Sequence, residues 1–221
     1  MLKYKIYVLF TFILTLCTFT FVRAEEPILK GKTIYLDPGH GGRDPGAIYK
    51  ELRESDINLE ITKQVKQELE TYGATVYMTR IGDYDLSKTN TTNHKKSDLT
   101  ERARLINESE CDMYISIHLN SDQSPTWYGT QIFYTNKNNE NKTIADIMQK
   151  KFKQNLNSQR EIKQLKNMYL FDRITKPGIL IEAGFISNSN DRYLLKQEQY
   201  QKQIAKTIRE SIIEYLNQKN I

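Results

Sequence analysis

Five short runs of β-forming residues, Thr33–Leu36, Ala74–Thr79, Met113–His118, Thr130–Tyr134 and Ile179–Glu182, punctuate this chain. Between them, apolar residues recur at helical spacing. Ile57, Ile61, Val65 and Leu69 make one such stripe, in a helix that Ser55 or Asp56 is placed to cap and Tyr72-Gly73 to end. Leu99–Glu108 fits a second helix, capped near Asp98 or Thr100, and Asn141–Asn157 a third. Tyr200, Ile204, Ile208, Ile212 and Tyr215 mark a closing one. Strands alternating with helices predict an α/β fold, a single layered domain with a mostly parallel sheet flanked by helices. A chain of 221 residues suits one such domain with a substantial core. The polar stretch Arg80–Asp98, which contains His94, reads as a surface loop.

The first residues stand apart from this pattern. Lys3 and Lys5 precede an uncharged apolar run from Ile6 to Val22, followed by Arg23, Ala24 and two glutamates. These are the parts of a secretory signal, cleaved after Ala24 or retained as a membrane anchor, and either outcome places the remainder outside the cytoplasm. Residues 25–31 then form a short connector, and 32–221 the folded domain. Leu16 stands where a lipobox needs a small residue, so Cys17 reads as part of the apolar run. Without that segment Cys111 stands alone, which leaves no internal disulfide. The formal charge of +5 falls to +2 beyond residue 24 and is well mixed. No basic stripe with interleaved aromatics suggests nucleic acid.

In parallel sheets, ligands gather at the carboxyl ends of strands. His40 in IYLDPGHGGRDPGA, His118 in YISIHLN and Glu182 in ILIEAGFISN all fall at or just past such ends. Zinc takes imidazole nitrogen and carboxylate oxygen in a tetrahedron, with one position open when the site is catalytic. Two histidines need a carboxylate to complete the set, and Glu54, just before a helix, is better placed than Glu51 for that role. Glu54 reads equally as a solvated first-turn acid, and His118 as a core histidine satisfied by a carbonyl. Glu182 is the more telling residue. A carboxylate at the tip of an apolar run needs a cation, hydrogen bonds or a raised pKa, because burying it alone costs several kcal/mol. Gly39, Gly41, Gly42 and Gly46 suit a loop folded around an ion, and equally a plain turn. Neither HExxH nor GxSxG is present. Ser116, Asn120, Asn188 and Arg43 lie near these motifs as weaker candidates for contact with a glycan or peptide.

IYLDPGHGGRDPGA, ESDINL, DLTERARLIN, YISIHLN and TKPGILIEAGFISN, in this order across residues 31–217, resemble the zinc-dependent N-acetylmuramoyl-L-alanine amidases. The similarity is strongest to the germination-specific, spore-cortex branch. The resemblance implies a twisted, mostly parallel sheet flanked by helices. It further implies one zinc ion on His40, Glu54 and His118, with Glu182 as the catalytic residue. The implied reaction cleaves the amide between the lactyl group of N-acetylmuramic acid and L-alanine in peptidoglycan, ahead of muramic-δ-lactam formation in spore cortex. The space around the developing spore is the implied location. The short connector and short C-terminal end leave no room for a wall-binding repeat. Localisation is then expected to rest on the groove, a membrane tether through the N-terminal segment, or a protein partner. An inactive peptidoglycan-binding scaffold and a zinc peptidase cutting within the stem peptide are the competing readings.

Overall fold

The computed structural model describes residues 26–219, so the signal or anchor expected over residues 1–24 lies outside the described residues. Six strands form the main sheet: β1 (Thr33–Pro38), β4 (Thr75–Met78), β5 (Met113–Asn120), β6 (Gln131–Tyr134), β7 (Lys163–Gln164) and β8 (Gly178–Phe185). Their order is β4-β1-β5-β8-β6-β7, with only the β6–β8 pair antiparallel. Strands β2 (Ile48–Tyr49) and β3 (Leu52–Arg53) make a separate hairpin. The helices are α1 (Glu54–Thr71), α2 (His94–Glu108), α3 (Asn141–Leu156), α4 (Ser189–Leu195) and α5 (Glu198–Lys219). The expected α/β layering is present. Among the described residues, no helix is long and apolar enough to cross a membrane.

Side chains alternate between the two faces of each strand, and the sequence follows that period of two. Ile34 and Leu36 of β1, Met113, Ile115 and Ile117 of β5, and Ile179 and Ile181 of β8 pack with the stripes of α1, α3 and α5. On the opposite face, Tyr35, Tyr114 and Leu180 meet Ala103 and Ile106 of α2, together with Leu170, Phe171 and Ile174. Asp37, Ser116, His118 and Glu182 share the parity of this second set. The apolar face thus turns polar towards the carboxyl ends of the strands, where the site lies.

Several boundaries differ from expectation. Helix α1 begins at Glu54, with Arg53 as an extended N-cap that offers no side-chain cap. Neither Ser55 nor Asp56 caps it, because loop carbonyls do that work: the amides of Glu54 and Ser55 donate to the carbonyls of Ala47 and Pro45. Helix α2 begins at His94 rather than near Leu99, capped by the Asn93 side chain accepting from the Lys96 amide. The stretch Arg80–Asp98 is therefore no free surface loop. Its two ends are buried, Arg80 at 1% exposure and Asp98 at 6%.

Candidate metal centre

Glu54 sits at the first position of α1 and is almost fully buried. Its Oε1 lies 3.2 Å from His40 Nε2 and 3.0 Å from His118 Nδ1, and the two imidazoles meet edge to face with centroids 4.8 Å apart. One ligand atom from each of the three residues lies within 4.8 Å of the others. Asn58 and the Leu119 amide donate to Oε1, and the Ala47 amide donates to Oε2. Burial alone would raise the Glu54 carboxyl, but the two histidines outweigh it and hold the group well below the usual carboxylate range. Burial likewise opposes a charged His40, and the carboxylates of Glu54 and Asp44 overcome it to raise its pKa.

The backbone here is shaped for close approach. His40 itself adopts φ 60, uncommon for a residue other than glycine. A Cβ on Gly39 would lie 2.2 Å from the His118 ring. One on Gly46, at φ +68, would lie 2.6 Å from Glu54 Oε2 and 2.8 Å from His40 Cδ2. Glycine is required at both positions because the metal-side chains already fill the space a Cβ would take.

Glu182 faces this cluster from the neighbouring strand, paired in register with His118 across β5 and β8. The register then slips by one residue between His118 and Asn120, an irregularity of the kind that re-aims side chains near sites. Glu182 is partly open to solvent, yet its Oε2 is shielded and has no hydrogen-bond partner. Burial pushes its carboxyl up to about 7, while His118 and His40 pull the other way and Glu54 adds to the rise. Two imidazole nitrogens and a carboxylate oxygen at mutual reach fit zinc, and the unpartnered Oε2 beside them fits a proton acceptor for zinc-activated water.

Residues 34–214 match the family Amidase_3, N-acetylmuramoyl-L-alanine amidase. The chain belongs to this family. It is an enzyme, a peptidoglycan amidase acting on N-acetylmuramoyl-L-alanine. A germination-specific N-acetylmuramoyl-L-alanine amidase of Bacillus subtilis is 44% identical over 86% of the chain and 82% of its own length. The amidase LytC of the same organism is 31% identical, and the match spans only 36% of LytC. Among solved structures, the CwlD amidase of Clostridioides difficile in complex with the GerS lipoprotein matches with a TM-score of 0.79 and 36% identity. That match covers 84% of this chain and 98% of the neighbour.

The candidate site rests on a polar network that residue patterns did not reveal. Asp44 Oδ2 holds His40 Nδ1 at 3.0 Å, leaving Nε2 to face Glu54. Asp44 lies four residues after His40, which is the one clue the sequence offered. Arg102 bridges Asp37 and Asp98 and donates to the carbonyls of Pro38 and His40. Arg80 donates to the carbonyls of Pro38, Gly39 and Ser55.

Of the weaker candidates, Ser116 is buried and donates to Asp37, so it belongs to this network and not to a substrate groove. Asn188 caps α4 and donates to the Pro125 carbonyl. Asn120 ends β5. Arg43 is exposed and contacts Asp85, Ser87 and His94. His94 opens α2 and is half-buried, in place of the solvated loop position expected. Cys111 is free and buried.

Proposed function

We propose that this amidase is zinc-dependent, with His40, Glu54 and His118 holding one ion and Glu182 moving the proton, and that it cleaves the lactyl–L-alanine amide. The observation that carries the reading is the convergence of His40 Nε2 and His118 Nδ1 on Glu54 Oε1, with the unpartnered Glu182 Oε2 alongside. When bound, zinc supplies Lewis acidity, which polarises a carbonyl and brings the pKa of water down to about 7. Glu182 Oε2 takes a proton from the attacking water and returns it to the alanine nitrogen as the C–N bond breaks. Burial favours the protonated form of this carboxyl, which suits it to hold the proton between acceptance and donation. Asp44 keeps the His40 proton on Nδ1, so that Nε2 presents its lone pair.

The spore-cortex setting, with δ-lactam formation downstream, draws support from the 44% identity to the germination-specific relative. A location outside the cytoplasm, secreted or tethered, draws support from the charged and then apolar first 24 residues. The GerS lipoprotein in the neighbouring CwlD complex favours a protein partner. Digestion of spore-type and vegetative peptidoglycan by the metal-analysed protein tests the setting. Mass analysis of the fragments tests the bond. An intact stem peptide beginning at L-alanine is expected, cuts within the stem would indicate a peptidase, and no new fragment would indicate a scaffold. Glu182→Gln is expected to retain zinc and lose activity about a hundredfold or more. Turnover near wild type would remove Glu182 from the mechanism.

A further inference from the structure

The loop from β5 to β6 carries two large aromatic residues out into solvent, Trp127 at 50% exposure and Tyr128 at 53%. It is firmly tied to the β8 exit: the Asp122 amide donates to Ser187 Oγ at 3.1 Å, and Asn188 donates to the Pro125 carbonyl at 2.7 Å. The Gly129 amide donates to Asp191 Oδ2 at 2.8 Å. Trp127 is thus held outward by a braced loop.

Behind it lies Arg160, its guanidinium carbon 4.8 Å from the Trp127 ring centre and 5.4 Å from that of Phe185. Arg160 Nη2 donates to Gln131 Oε1 at 3.0 Å, and Gln131 pairs in register with Glu182 across β6 and β8. A continuous line of contacts therefore runs from the exposed indole to the strand position beside the Glu182 carboxylate. Arg160 covers one side of the ring while half of the residue stays open.

We propose that Trp127, with Tyr128 beside it, is the stacking platform for a sugar ring of the glycan strand. A pyranose presents C–H bonds on its face and hydroxyls at its edge, which suits a flat indole bordered by polar groups. Two rings fall far short of the roughly 800 Å² per partner that a stable protein interface needs. The polymer this enzyme acts on supplies a strand of such sugars next to the scissile amide. The inference rests on the amidase reading only for the identity of that polymer.

Trp127 is the single tryptophan of the chain, so its emission reports directly on this surface. The protein is titrated with peptide-free glycan strands of alternating N-acetylglucosamine and N-acetylmuramic acid. A saturable change in emission is expected. Calorimetry on Trp127→Ala, with folding checked by circular dichroism, should show affinity weaker by about tenfold. No emission change with glycan overturns the proposal, as does unchanged affinity in Trp127→Ala. A response to free stem peptide, a protein partner or phospholipid vesicles but not to glycan also overturns it. Because the probe holds no scissile amide, the outcome is independent of whether the chain cleaves.

Discussion

Arg102 Nη2 lies 2.6 Å from the carbonyl oxygen of His40, so an arginine on α2 holds the backbone of a residue whose side chain belongs to the candidate metal centre. Its other nitrogens are spent on Asp37, Asp98 and the Pro38 carbonyl. Arg102→Ala would leave Asp37 buried without the guanidinium that is hydrogen-bonded to it. A loss of about 3–5 kcal/mol of stability is expected, measured by urea unfolding. Arg102→Lys keeps the charge but cannot serve this fork of acceptors, and should recover only part of that loss.

The same pair makes stability depend on pH. Burial would raise the Asp37 carboxyl, but Arg102, with hydrogen bonds from Thr79 and Ser116, holds it below the usual carboxylate range. The folded state therefore releases this proton more readily than the unfolded chain. Its stabilisation is complete above the unfolded carboxyl's pKa of about 3.9 and drains away as pH falls through the lower folded value. Urea midpoints between about pH 5 and pH 2 should fall steeply in the wild-type protein and less steeply in Asp37→Asn.

Asp44→Asn keeps the size of the side chain while removing the charge that fixes the His40 proton on Nδ1. Zinc affinity should fall about 10- to 100-fold, with little change in fold, by competition against a chelating dye. Activity at saturating zinc should recover towards wild type.

Gly39→Ala should act on the metal through sterics alone. The added methyl would meet the His118 ring at 2.2 Å, closer than any real contact, and the ring must turn away. Loss of zinc binding with an unchanged far-ultraviolet spectrum is the expected result. A zinc isotherm matching wild type would show that the loop can shift instead.

Removing the ion with a chelator should abolish amide cleavage, and added zinc should restore it. The melting temperature should rise with zinc concentration, as it does for any ligand that binds only the folded state.

His40, His118 and Glu182, which the structure brings together, could be picked out along the chain because each follows or ends a short apolar run, although β5 and β8 continue past His118 and Glu182 to Asn120 and Phe185. The support of the site was not readable. Arg102 and Arg104 sit two apart in DLTERARLIN and look alike, yet Arg102 is buried against strand β1 while Arg104 pairs with Glu101 and Glu108 at the surface. Apart from Asp98, one helical turn before it, the partners of Arg102 lie 62 to 65 residues away, beyond the reach of any local pattern. Arg80 was hidden in a similar way, inside a polar stretch with the Pro38, Gly39 and Ser55 carbonyls 25 to 42 residues before it. The start of α2 escaped because its first turn, His94-Lys95-Lys96-Ser97, holds no apolar residue to set a period. The two-residue strands β2, β3 and β7 are too short to show any alternation.

The guanidinium clamp on Pro38, Gly39 and His40 carries charges that water does not titrate away at physiological pH. The backbone of the His40 turn is consequently fixed by contacts within the protein. Under the proposed zinc reading, loading the ion would then not have to rebuild this stretch of backbone.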